Sequence, residues 1–147
     1  MEILSKNVAE TNKEAGKLAN KLVPLGSKAT VIGLYGNLGS GKTTFVQGLA
    51  RALGISEIVT SPTFVIEKIY KLPTDSQFDH LIHIDCYRLE KESELEVLGF
   101  NNILNNPRNL IVIEWPEKVK EIMPADHRQI HFEFVDGQTR QINILEL

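Results

Sequence analysis

A single cysteine, Cys86, stands among the 147 residues, so no disulfide can close within the chain, and no Cys/His cluster has zinc-site spacing. Apolar runs long enough to cross a bilayer are missing. The opening Met1-Glu-Ile-Leu-Ser-Lys6 lacks the charged-then-apolar order of a signal peptide. An excess of positive charge is missing too. The formal net charge is −3 and the pI about 5.8, so no global field draws the chain onto nucleic acid. A local basic patch, or an RNA-related role through partners, stays open. No internal repeat, low-complexity tract or linker interrupts the sequence. These absences point to a cytoplasmic protein in a reducing compartment, off the membrane. They also point to one domain over residues 1–147, a length that fills one core and falls short of two. Hydrophobic residues at 42% and charged residues at 24% are ordinary for a globular fold.

What is present is concentrated in residues 36–44, Gly-Asn-Leu-Gly-Ser-Gly-Lys-Thr-Thr. Gly36, Gly41, Lys42 and Thr43 match the phosphate-loop pattern G-x-x-x-x-G-K-[ST]. The β-forming run Ala29–Tyr35 precedes it. A helical pattern follows, with Phe45, Val46, Leu49, Ala50 and Leu53 on one face and Gly54 as its C-terminal cap. Glycines let the backbone amides of Gly36, Asn37, Leu38, Gly39, Ser40 and Gly41 turn inward as an anion nest, and the helix start adds partial positive charge. On this reading Lys42 reaches the β- and γ-phosphates, the Thr43 hydroxyl ligates Mg²⁺, and Thr44 bonds the α-phosphate. The alternative is a glycine-rich turn that matches by chance.

Elsewhere, residues 5–22 read as an amphipathic helix, with Ser5 as N-cap and Val8, Ala15, Leu18, Ala19 and Leu22 on its apolar face. Strands are expected at 64–70, 81–85 and 110–113. An acidic helix at 90–98 is stopped by Gly99, and a short helix starts at Pro116. Residues 128–135 and 138–145 flank Asp136-Gly137 as a hairpin. The expected fold is α/β: a P-loop NTPase-like central sheet, mostly parallel, with an antiparallel C-terminal hairpin and flanking helices.

Hydrolysis or transfer also needs acids near the metal. Glu114 directly follows Leu110-Ile-Val-Ile113 and Asp85 ends the His83-Ile-Asp85 strand, the strand ends where open α/β sheets place ligands. Glu114 is a Mg²⁺ ligand or water polariser, or else an acid that marks a strand end. Asp85 orients a metal-bound water or caps a turn. Ser61-Pro62-Thr63 is a switch-like loop or a rigid turn made by Pro62. Arg88 neutralises phosphate charge or pairs with Glu92. Trp115 packs on a loop or partner, or is simply buried. Cys86 reads as a small buried residue. His80, His83, His127 and His131 show no metal-ligand grouping, the last two falling on what reads as a strand edge. No N-K-x-D signature follows a strand, which favours adenine over guanine. The first helix approaches the base, with Thr11 on its polar side, or is only a surface helix.

In this order, Tyr35–Phe45, Thr60-Ser-Pro-Thr-Phe64, His83-Ile-Asp-Cys-Tyr-Arg-Leu89, Glu94–Phe100 and Ile113-Glu-Trp-Pro116 closely resemble the bacterial tRNA threonylcarbamoyladenosine (t6A) biosynthesis ATPases, the TsaE family. The resemblance spans nearly the whole chain. It implies a small Mg²⁺-dependent ATPase acting in modification of adenosine 37 of tRNAs that read codons starting with A. Such an ATPase binds the heterodimer of a carbamoyltransferase subunit and its paralogue, reaches tRNA through that complex, and uses ATP hydrolysis to reset it. By position it implies Lys42 on phosphates, Thr43 and Glu114 on Mg²⁺, Asp85 in catalysis, Ser61–Thr63 as a switch, and Trp115 and Arg88 near the site or partner. Asn37 stands where the family more commonly has Asp, which removes a carboxylate from that loop position. Two other functions compete: a small-molecule kinase, for which the five scattered arginines supply no lid, and a nucleotide-gated binding module with little catalysis.

Overall fold

Every residue of Asn109–Glu114 is buried, as is every residue of Thr30–Tyr35 except the half-buried Tyr35. Strands apolar on both faces need helices on both sides of the sheet. The computed structural model describes residues 1–60 and 67–145. Their order is β1 (Glu2–Ser5), α1 (Val8–Lys21), β2 (Thr30–Tyr35), α2 (Lys42–Ala52), β3 (Glu67–Lys71), β4 (His80–Asp85), α3 (Glu92–Val97), α4 (Phe100–Leu104), β5 (Asn109–Glu114), a 3₁₀ turn at Pro116–Val119, β6 (Arg128–Phe134) and β7 (Arg140–Leu145).

The strands form one sheet in the order β1-β7-β6-β2-β5-β4-β3. Its centre, β6-β2-β5-β4, is parallel, and the expected hairpin β6-β7 is antiparallel. Antiparallel strands also close both edges, β1 on β7 and β3 on β4. The fold is thus α/β, with the parallel pairing confined to the middle.

Helices α1 and α2 cover one face, where Ala15, Leu18, Phe45 and Leu49 pack with Ile32, Leu34, Leu81 and Val112. The other face carries α3, α4 and the 3₁₀ turn, where Leu95, Phe100 and Val119 pack with Val31, Ile84, Ile111 and Ile113. The carboxyl ends of β2, β4 and β5 therefore come together at one rim. There the chain leaves β2 for the glycine loop and ends β4 and β5 on Asp85 and Glu114.

Several expectations are corrected. The first helix starts at Val8, capped by Asn7, whose Oδ1 accepts from Glu10 N at 2.9 Å. Ser5 is instead buried at the end of β1, its hydroxyl 2.9 Å from the Asn7 carbonyl. Val8 is 61% exposed rather than packed. The acidic helix is shorter, and Gly99, at φ 82°, leads into a second helix, α4, that the sequence reading lacked. The start of the expected strand at 64–70 lies outside the described residues. Among the described residues no helix is long and apolar enough to cross a membrane.

Candidate nucleotide site

The loop after β2 takes its shape from glycine. At Gly36 (φ 152°) a Cβ would lie 2.7 Å from both the Phe132 carbonyl and Ser40 Oγ, so a side chain has no room. Gly41 (φ 101°) caps α2 in the left-handed region. Ser40 N donates to the Asn37 carbonyl at 3.1 Å, closing a turn whose tip, Leu38, is 67% exposed. Arg140 fastens the loop from outside. Its Nε donates to the Gly39 carbonyl at 3.0 Å and one terminal nitrogen to Asp136 O at 2.7 Å. Lys42, Thr43 and Thr44 open α2, where backbone amides have no intrahelical acceptor and the helix dipole is positive. Ser40 Oγ is buried with no partner among the described residues.

Lys42 is only 5% exposed. Its ammonium donates to the Gly36 carbonyl and stands 3.7 Å from the centre of the Trp115 ring. Burial pushes its pKa below the ordinary lysine value, against the opposing pull of Glu114, Glu117 and Asp85. Trp115 is the one non-glycine residue with positive φ (60°) among the described residues. Such a backbone is unfavourable for a bulky side chain, and strain of this kind concentrates at functional sites. The half-buried ring also meets Tyr87, centroids 5.0 Å apart.

Glu114, 3% exposed, engages both its oxygens. Thr43 Oγ1 donates to Oε1 at 3.2 Å, and His83 Nε2 lies 2.5 Å from Oε2. Asp85 is the register partner of Glu114 on β4, and its Oδ1 accepts from Tyr87 N at 2.9 Å. Cys86 is fully buried, and burial together with Asp85 and Glu117 pushes its thiol up to about 12, which suits the inert role expected of it.

Beside the loop, Asn7, Val8, Thr11, Thr44, Gln138 and Arg140 help line a largely apolar cleft of about 410 Å³ that also touches Gly41. Thr11 is there, but not on a polar face. It is 4% exposed, with its hydroxyl 2.6 Å from that of Ser5. Arg88 is exposed. Ser61, Pro62 and Thr63 lie outside the described residues, as does the side chain of Glu92. Sequence reasoning missed Arg140 and His83. Nothing local marks Arg140, which reaches the loop across the sheet. His83 carries a faint signal, an imidazole two residues before Asp85 on the same strand face.

Known proteins with this sequence pattern are similar along nearly all of it. The family described as threonylcarbamoyl adenosine biosynthesis protein TsaE matches residues 6–142. The tRNA threonylcarbamoyladenosine biosynthesis protein TsaE of Bacillus subtilis is 38% identical over 135 residues, 89% of this chain and 79% of that protein. Its counterpart in Aquifex aeolicus is 35% identical over 146 residues, covering 98% of each. The chain belongs to the TsaE family. A crystal structure of Bacillus subtilis YdiB superposes with a TM-score of 0.75 at 29% identity, over 98% of this chain and 83% of that one. Membership places the chain in a family of tRNA threonylcarbamoyladenosine biosynthesis.

The site residues suit a nucleotide and a hard cation. The loop has no space for a side chain at Gly36, the Lys42 ammonium bonds its carbonyl, and the buried Ser40 Oγ has no partner among the described residues. No group of three His, Cys, Asp or Glu side chains could hold a metal by itself among the described residues. Thr43 and Glu114 offer oxygen ligands of the kind Mg²⁺ takes beside phosphate and water.

Proposed function

We propose that this TsaE-family chain is a Mg²⁺-dependent ATPase of t6A biosynthesis. The observation that carries the proposal is the Thr43–Glu114 hydrogen bond, which joins the glycine loop to the carboxylate at the end of β5. The loop amides between Gly36 and Gly41 other than that of Ser40, which is engaged with the Asn37 carbonyl, and the Lys42 ammonium bind the phosphates, and Thr44 bonds the α-phosphate. The cleft beside Thr11 and Val8 takes the base and ribose, its apolar lining suiting adenine. Thr43 and Glu114 hold Mg²⁺, which when bound neutralises phosphate charge and orients water. Asp85, at the same rim as Glu114, accepts a hydrogen bond from the attacking water. Trp115 floors the Lys42 position, its ring held under the ammonium and against Tyr87.

The partner is the heterodimer of the carbamoyltransferase subunit and its paralogue, which hydrolysis resets between turnovers. The acidic balance supports reaching tRNA through that complex rather than gripping it directly. The chain works in the cytoplasm, as one domain. Phosphate release by the purified chain, with ATP and Mg²⁺, is measured with and without the heterodimer. Slow release alone and faster release with the heterodimer are expected. No retention of adenine nucleotide in either case overturns the proposal. Transfer to an added small acceptor instead of water makes the protein a kinase.

A further inference from the structure

His83 sits in the middle of β4, fully buried, between positions filled by Leu81 and Val112. An aliphatic residue would pack there without polar atoms to satisfy. The imidazole has two, and Nδ1 has no partner among the described residues. Leaving a buried acceptor unpaired is unfavourable. Among the described residues the one polar contact of the ring is Nε2 to Glu114 Oε2, at 2.5 Å. With Nε2 against a carboxylate oxygen and Nδ1 bare, the hydrogen-bond pattern assigns the proton to Nε2, which donates. Register explains the reach. His83 pairs with Val112 and Asp85 with Glu114, so His83 and Glu114 are diagonal neighbours on one sheet face.

We infer that His83 is a positioning residue, whose Nε2–H holds one oxygen of Glu114 so that the other is presented to Thr43 and the phosphate loop. Glutamate has three side-chain torsions. The Thr43 contact alone, at 3.2 Å, leaves the carboxylate free to turn about it. With both oxygens engaged the plane of the carboxylate is set before any ligand arrives. The inference rests on the proposed role of Glu114 toward Mg²⁺ and adds what fixes that ligand's orientation.

The test compares the full chain with His83→Leu, His83→Gln, Glu114→Gln and the Glu114→Gln/His83→Leu double variant. Affinity for a fluorescent ADP analogue is titrated against Mg²⁺, with thermal unfolding of each variant and kcat and KM for ATP alongside. His83→Leu is expected to raise the Mg²⁺ concentration at half-effect by ~10–100-fold, the usual cost of losing a partner behind a metal ligand, while metal-free nucleotide affinity stays unchanged. Its kcat falls more than its KM rises. His83→Gln, whose amide nitrogen reaches the Nε2 position, recovers most of the loss. In the Glu114→Gln background His83→Leu adds nothing further. If His83→Leu folds poorly, the Gln variant decides: folded, with near wild-type Mg²⁺ dependence supports the inference, and folded with a Leu-like loss overturns it. A His83→Leu chain that titrates with Mg²⁺ as wild type does, or independent effects of the two positions, also overturns it. A wild-type chain whose nucleotide affinity ignores Mg²⁺ overturns the metal reading itself.

Discussion

The Lys42 ammonium stands 3.7 Å from the centre of the Trp115 ring, in a place where burial works against its charge. Two consequences follow, of opposite sign with rising pH. Burial lowers the pKa below 10.5. Between the folded value and 10.5 the unfolded chain therefore holds the proton more tightly than the native one, and stability rises with pH across that window. On the proposed role of Lys42 toward phosphate, nucleotide affinity should fall over the same window, beginning below the pH of an ordinary lysine. Affinity measured from neutral to alkaline pH should show this descending limb, and Lys42→Arg, which stays charged, should abolish it. Lys42→Ala should weaken nucleotide binding by ~100-fold at neutral pH, on the order of losing a charge-assisted contact. Unchanged affinity by calorimetry contradicts the phosphate-loop assignment.

Glu114→Gln keeps the volume of the side chain and removes its charge. Nucleotide affinity without Mg²⁺ should survive, because the loop amides and Lys42 are untouched. Mg²⁺-dependent turnover should fall at least ~100-fold, since on the proposed role of Glu114 a metal ligand matters no less than its supporting neighbours. Wild-type turnover would reduce Glu114 to a strand-end acid bonded to Thr43 and His83.

Much of this site could be read along the chain because its parts are contiguous. Gly36 through Thr44 carry their own glycine geometry, and Leu110–Ile113 announce a buried strand with Glu114 at its end. The unread parts are those that need the sheet. Strand β1 has only four residues and finds its partner β7 at the far end of the sequence, so no local period reveals it. Helix α4 is five residues long, too short to show periodicity. Thr11 looks polar by composition, yet Ser5 meets it inside the fold. His83 gains meaning only once the β4–β5 register sets it diagonal to Glu114.

Asp85 occupies the same rim but is less enclosed than Glu114, being half-buried. Asp85→Ala should slow hydrolysis more than it weakens nucleotide binding, because the phosphate cradle does not pass through it. The variant also removes the acceptor for Tyr87 N, so a small loss of stability is expected. Pre-steady-state hydrolysis compared with equilibrium binding separates the two effects. Equal loss of both assigns Asp85 a structural role.

Gly48 brings α1 and α2 together. A Cβ there would lie 2.8 Å from Asn12 Cα and 3.1 Å from Ala15 Cβ, and the first of these is backbone that cannot swing aside. Gly48→Ala gains helix propensity, ~1 kcal/mol, but overpacking of this kind costs about 1–3 kcal/mol. The variant should therefore melt below wild type, or at best level with it. Gly16→Ala supplies the control on α1. Its Cβ would meet only Ala52 Cβ at 3.8 Å, an ordinary contact, so it should stabilise the chain by ~0.5–1 kcal/mol. Because Asn7, Val8 and Thr11 of the same segment line the cleft beside Gly41, pushing α1 outward should also weaken nucleotide binding, whereas Gly16→Ala should leave it alone. Thermal unfolding and nucleotide titration of the two variants check the argument together, and a Gly48→Ala chain more stable than Gly16→Ala contradicts the close approach of the helices.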